Sequence, residues 1–249
     1  MIRLAGATVQ GLCHERLGLP CQDAHYCRIL DSEIVLLAVA DGAGSASHSQ
    51  IGSATAIQTI ESLFCSQTLP AFEDADAWKG LFWQAMQWVR NALEGQATQL
   101  GIEAREFATT LLLALSFPCG ILVSQVGDGA VVLRDKQGDL HTLATPRTGE
   151  YYNETQFVTS IESIDEVGFH TFTGQITHIA LFTDGLESVA LQMPDAIAHP
   201  PFFTPLFQFV AHVESPMEAQ NQLEQFLRSP RLRERADDDL TLVLMARGN

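Results

Sequence analysis

Four carboxylates stand at the ends of hydrophobic runs. Asp41 closes "IVLLAVADG", Asp184 closes "HIALFTDG", Asp128 lies in "SQVGDGAVV", and Asp238 stands just ahead of "LTLVLMA". Taken singly, an Asp-Gly at such a join is what a turn demands, since Asp caps helices and Gly takes conformations closed to other residues. As a set they ask for more. In an antiparallel sheet the exit of one strand and the entrance of its neighbour share an edge, so Asp41, Asp184 and Asp238 can converge on one rim. Carboxylates brought together repel, and a proton or a cation relieves the repulsion. A ligand set made of oxygens suits a hard ion such as Mg2+ or Mn2+. Gly42 would let the backbone approach that ion, with its carbonyl as a further ligand. No Cys/His cluster has zinc spacing.

These acids need elements to hold them. "ATVQGL" and "IVLLAVA" read as strands. "QIGSATAIQTIESLF" repeats Ile51, Ala54, Ile57, Ile60, Leu63 and Phe64 with a helical period, with Ser47 or Ser49 as its cap. A long amphipathic helix over 74–100 carries Trp78, Leu81, Phe82, Ala85, Trp88, Val89 and Ala92 on one stripe, with acids in its first turn. The period then shortens: "ATTLLLALSF", "GILVSQV", "AVVLRD" and "DLHTLA" are short strands, with "FPCG" and "GDG" read as hairpin turns. "HIALFT" is a strand, "GLESVAL" starts a helix, "PMEAQNQLEQFLR" is a helix, and "LTLVLMA" is the last strand. Blocks of strands and helices, without strict alternation, predict an α+β protein with antiparallel sheets and helices packed outside. The polar stretch 145–163 reads as a long surface excursion.

Composition narrows the function. Net charge is −16, and the one basic cluster, Arg228 to Arg235, is followed at once by acids, so nucleic acid and anionic membranes are poor partners. The longest apolar run, Ile34 to Ala40, falls far short of the roughly 20 residues that span a bilayer. The first residues show no basic segment ahead of an apolar core, so no secretory signal is expected. Five cysteines without a C-x-x-C pair predict reduced, inert thiols and a cytoplasmic setting.

Six segments in one order, "CQDA", "VADGAGS", "ATTLLLAL", "VGDGAVVL", "LFTDGLES" and "DDLTLVLM", span nearly the whole chain. Together they resemble the type 2C, metal-dependent Ser/Thr protein phosphatases in a compact bacterial form. The resemblance implies one domain over 1–249: a central β-sandwich of two antiparallel sheets flanked by helices, a four-layer α-β-β-α arrangement. Two Mn2+ or Mg2+ ions would lie in a cleft at one end. Carried over, Asp41 matches the bridging metal ligand and Gly42 the carbonyl ligand, while Asp184 and Asp238 complete the first metal site. Asp23 matches the acid that orients metal-bound water, with Gln22 where many relatives carry Glu. Asp128 matches the acid of a third, looser metal. Asp239 replaces the usual Asn, either as a solvated acid or as a second choice of ligand.

Three departures stand out against that family. The phosphate-binding Arg usual before the "ED" pair is absent, leaving His14 or Arg16 as phosphate-binding candidates. Ala43 replaces a His that several relatives use to protonate the leaving group, and His48 reads as a loop residue in solvent. Ser188 replaces an Asp of the third metal, and Glu187 is expected to point elsewhere at a helix start. The segment 145–163 falls where the family carries a flap.

The expected function is therefore hydrolysis of phosphoserine and phosphothreonine in proteins, by attack of a hydroxide bridging two cations. The expected partners are a phosphorylated protein substrate and a cognate Ser/Thr kinase, with the enzyme a monomer. Two alternatives stay open: a catalytically weak relative acting as a phosphoprotein-binding or regulatory module, and an unrelated carboxylate-metal hydrolase.

Overall fold

The computed structural model describes residues 1–31, 33–145 and 155–248. In chain order the strands are β1 (Ile2–Val9), β2 (Asp23–Ile29), β3 (Val35–Asp41), β4 (Leu111–Phe117), β5 (Gly120–Val126), β6 (Ala130–Asp135) and β7 (Leu140–Ala144). They continue with β8 (Gly168–Thr173), β9 (Ile176–Phe182), the two-residue pair β10 (Leu191–Gln192) and β11 (Ile197–Ala198), and β12 (Leu240–Arg247). The helices are α1 (Leu12–Leu17), α2 (Ser49–Ser66), α3 (Ala75–Leu100), α4 (Glu187–Ala190), α5 (Pro200–His212), α6 (Pro216–Leu227) and α7 (Pro230–Arg233). Two five-stranded sheets form, in the orders β1-β12-β9-β6-β7 and β2-β3-β4-β5-β8, with every pairing antiparallel.

The alternation of side chains along a strand explains the layers. On β3, Val35, Leu37 and Val39 enter the core between the sheets, while Leu36, Ala38 and Ala40 face the core shared with α2 and α3. On β12, Val243 and Met245 point inward, and Leu240, Leu242, Leu244 and Ala246 pack with α5 and α6. Strands buried on both faces read as continuous apolar runs, which is how "IVLLAVA" and "LTLVLMA" look. The result is helices, sheet, sheet, helices: the sandwich expected from the sequence.

Helix α3 begins where Asp74 accepts a hydrogen bond from the Ala77 amide (3.1 Å) and ends at Gly101, whose φ of +68° is left-handed. Its buried stripe runs through Trp78, Leu81, Phe82, Ala85, Met86, Val89, Leu93 and Ala97. Trp88, read as part of that stripe, is exposed, because Val89 and Leu93 hold the 3.6-residue register and Trp88 falls at its margin. Neither serine caps α2: its cap position is His48, and Ser47 instead donates to Glu106 (2.7 Å). Helix α5 and strand β8 had no counterpart in the sequence reading.

The "GDG" segment departs most from expectation. β5 lies in one sheet and β6 in the other, so Gly127–Asp128–Gly129 is a crossing between sheets and not a hairpin turn. Gly127 and Gly129 have φ of +90° and +88°. A Cβ on Gly127 would lie 2.5 Å from Thr110, and one on Gly129 would lie 2.7 Å from the Phe182 carbonyl oxygen. The corner needs glycine for conformation and for space.

The flap reading over 145–163 falls in part, over 146–154, on residues outside the described ones, as does Arg147. Of its described part, Phe157 packs on Ala43, Ala46 and Ala108, Ile161 is buried in the α3-side core, and Thr155 donates to Asp128 (2.9 Å).

Candidate active site

Antiparallel pairing brings the acids to one end of the sandwich. Asp23 opens β2 and is the cross-strand partner of Asp41, which closes β3. Asp184 follows β9, Asp238 and Asp239 precede β12, and Leu242 of β12 pairs with Phe182 of β9. Asp128 sits at the crossing between sheets. Threonines beside the acids clamp these strand ends. Thr109 Oγ1 (2.9 Å) and the Thr110 amide (2.8 Å) both donate to the Asp41 carbonyl. The Thr241 amide donates to Thr183 Oγ1 (3.3 Å).

Carboxylate oxygens of Asp41, Asp128 and Asp184 lie within 4.8 Å of one another. Burial pushes the Asp41 carboxyl well above its usual range, reinforced by Asp23, Asp184, Asp128 and Asp238. Burial, with Asp128 and Asp238, pushes Asp184 up to about 6, and a hydrogen bond with Asp41 pulls the other way. Burial raises Asp23 to about 7 against the hydrogen bonds from Thr241 and Thr183, each 2.7 Å to Oδ2. Without a cation, such a cluster holds protons that isolated carboxylates would release at neutral pH.

The residues present fit a hard divalent cation. The donors are carboxylates packed closely enough to repel, and Oδ1 of Asp128 is buried with no hydrogen-bond partner among the described residues. Gly42 must lack a side chain, since a Cβ there would lie 2.6 Å from the Ser49 carbonyl oxygen. Asp238 is exposed beside the cluster. Asp128, to which the resemblance gives a looser third ion, has a carboxylate oxygen within 4.8 Å of those of Asp41 and Asp184.

A second group forms where α1 docks. Asp239 is buried and accepts from the Gly11 amide (2.6 Å) and the Gln22 amide (2.5 Å), while His14 Nδ1 lies 2.9 Å from its Oδ1. The solvated-acid reading of Asp239 is thus corrected: the acid is an internal clamp, because two backbone N–H groups and a histidine face it. Ligand atoms of His14, Asp238 and Asp239 also lie within 4.8 Å of one another. Arg16 is exposed on α1.

Two other readings change. Glu187 does begin α4, but its carboxylate accepts from the Gly129 amide (3.0 Å) and faces Asp184 and Asp128, and burial pushes it up to about 8. One short turn between Asp184 and Glu187 keeps both side chains on the same side. His48 is half-buried against Phe107, with ring centroids 5.3 Å apart, and is not a solvated loop residue. Ser188 points to the Arg235 carbonyl (3.5 Å). The threonines at 183 and 241 were missed in the sequence, although "FTDG" and "DLT" place each beside an acid.

The family model described as Protein phosphatase 2C matches residues 10–228. Serine/threonine-protein phosphatase 3 of Escherichia coli (strain K12) is 37% identical over 248 residues, covering 97% of each chain. Among solved structures, serine/threonine phosphatase Stp1 from Staphylococcus aureus superposes with a TM-score of 0.67 at 16% identity, over 100% of this chain and 96% of that one. The catalytic domain of the serine threonine protein phosphatase PstP, solved with two manganese ions, gives 0.65 at 18% identity, over 98% and 97%.

Proposed function

The chain belongs to the protein phosphatase 2C family, and from that premise we propose that it is a metal-dependent serine/threonine protein phosphatase. The observation that carries this reading is the half-buried cluster of Asp41, Asp128 and Asp184, with Asp23 and Asp238 beside it. A cluster that repels itself in the absence of a cation is built for one. Asp41, the Gly42 carbonyl, Asp184 and Asp238 would hold two Mn2+ or Mg2+ ions, and Asp128 would serve them or a third.

Bound there, the ions activate water and offset the charge of a phosphomonoester, which lets an acidic protein take an anionic substrate. Asp23, fixed by two threonine hydroxyls, orients the attacking water. No serine or cysteine nucleophile is required. The substrate class is phosphoserine or phosphothreonine in proteins, which implies an opposing kinase. Residues 1–249 act as one domain and the enzyme as a monomer. Among the described residues no helix is long and apolar enough to cross a membrane.

The test is release of phosphate from a phosphothreonine peptide with Mn2+, and its loss in EDTA. Hydrolysis that survives EDTA would overturn the metal-dependent reading. Peptide binding without hydrolysis in Mn2+ would favour a binding module.

Phosphate recognition falls to the α1 segment. Arg16 is solvent-exposed and its guanidinium can bind two phosphate oxygens at once. His14 Nδ1 lies against Asp239 Oδ1 at 2.9 Å, so Nε2 is the ring nitrogen that would meet phosphate. Arg16→Ala is expected to raise KM for a phosphopeptide several-fold with little change in Mn2+ affinity, and His14→Ala to raise it less. Unchanged KM in both variants would move phosphate binding to the ions or to a residue elsewhere.

A further inference from the structure

Asp23 is tied to a histidine by an unbroken line of hydrogen bonds. Thr241 Oγ1 lies 2.7 Å from Asp23 Oδ2, Thr8 Oγ1 lies 2.8 Å from Thr241 Oγ1, and His25 Nδ1 lies 2.7 Å from Thr8 Oγ1. The geometry follows from the strands. His25 and Asp23 are two residues apart on β2, so their side chains share a face. Thr8 and Thr241 are cross-strand partners on β1 and β12 of the opposite sheet. The line thus leaves one sheet at Asp23, crosses to the other and returns at His25. β1 makes room for the ring with Gly6, where a Cβ would stand 2.7 Å from His25 Cδ2.

Each threonine hydroxyl has one hydrogen to donate, so each link dictates the next. If Thr241 donates to Asp23, Thr8 must donate to Thr241 and His25 must donate from Nδ1. In the opposite order, with Nδ1 accepting from Thr8, Thr241 must donate to Thr8 and Asp23 must carry the proton that it donates to Thr241. The histidine tautomer and the way Thr241 meets Asp23 are locked together, and either direction fixes the position of Oδ2. Thr183 adds a second 2.7 Å contact on that same oxygen.

We propose that His25 is a positioning residue of this site, acting through Thr8 and Thr241 to hold the Asp23 carboxylate in its working orientation. The catalytic part rests on the phosphatase reading above; the hydrogen-bond line itself does not. Two sets of measurements separate them. In nitrogen-15 NMR of the His25 ring, Asp23→Asn should shift the Nδ1 signal, and the same change should have little effect in a Thr8→Val background. A His25 signal indifferent to Asp23→Asn, or equally responsive in both backgrounds, would overturn the line.

In kinetics, Thr241→Val and Thr8→Val keep the side-chain shape and lose the hydroxyl. Each is expected to lower kcat by about tenfold, the scale seen when a supporting hydrogen bond is removed from a site. KM and Mn2+ affinity should stay within about twofold of wild type, and Thr8→Ser should restore kcat. Thr8→Val combined with His25→Phe should be no slower than the worse single variant, since both break one line. Unchanged kcat in Thr8→Val, or failure of Thr8→Ser to rescue a folded protein, would overturn the positioning role. A wild-type protein without phosphatase activity would instead refute the proposed function, and the NMR result alone would then decide the line.

Discussion

Asp184→Asn should lower cation-dependent phosphatase activity by about three orders of magnitude, the several kcal/mol that a catalytic ion supplies. The ion-free protein should meanwhile fold at least as stably as wild type. The substitution keeps volume and removes a charge from a half-buried group already pushed up to about 6 by desolvation and by Asp128 and Asp238. In the ion-free protein the sign of the pH dependence follows. Asp184, Asp23 and Glu187 have folded pKa values of about 6, 7 and 8, raised from 3.8, 3.8 and 4.5. Well below pH 3.8 these groups are protonated whether folded or unfolded, and they cost nothing. As pH rises, the unfolded chain releases the protons first, so stability falls until the folded values are passed. Tm of the ion-free protein should therefore drop between pH 5 and 8. Mn2+ should recover it, and Asp184→Asn should flatten the part of the drop below about pH 6, between the unfolded and folded values of Asp184. A Tm that rises over that window without metal would contradict the proposed charge cluster, whatever the activity.

The second large effect is expected at Asp239. Asp239→Ala removes the acceptor of two buried amides and the partner of His14 at once. Breaking such a buried group costs about 3–5 kcal/mol, because its partners stay buried and unsatisfied. For a chain of this size that is roughly a 10 °C fall in Tm. Asp239→Asn, which installs the residue usual in the family, should cost much less but not nothing. An amide offers one oxygen, and here both carboxylate oxygens accept from backbone N–H groups, so the NH2 would face a donor. Differential scanning calorimetry of the two variants ranks them. Equal stability of Asp239→Ala and wild type would mean that the clamp contributes nothing. The clamp also bears on chemistry, since Gln22 adjoins Asp23 and α1 carries Arg16.

Much of this was legible in the sequence. The acids at the ends of apolar runs, Asp41, Asp128, Asp184 and Asp238, could be singled out, and with them an α+β protein with antiparallel sheets; Asp23 and the sandwich came from the family resemblance. Apolar alternation is a local property, and local properties are written along the chain. The "GDG" corner shows where locality ends. Asp-Gly flanked by strands is a hairpin signal, and only the pairing of β6 with β9 and β7 reveals that the chain has changed sheets. Trp88 was misplaced by one position on α3, where a moderately apolar margin resembles the buried stripe.

Asp239, Glu187 and His25 were beyond reach for a different reason. Asp239 is buried because Gly11 and Gln22 arrive from more than two hundred residues away. Glu187 faces the acids because Gly129, 58 residues earlier, offers an amide. His25 reaches Asp23 only through Thr8 and Thr241, held together by the pairing of the first strand with the last. Residue type and spacing determined which groups could bind a cation. Which groups hold those acids in place was decided by the tertiary structure, because a hydrogen bond depends on distances that only the packed sheets bring down to 3 Å or less.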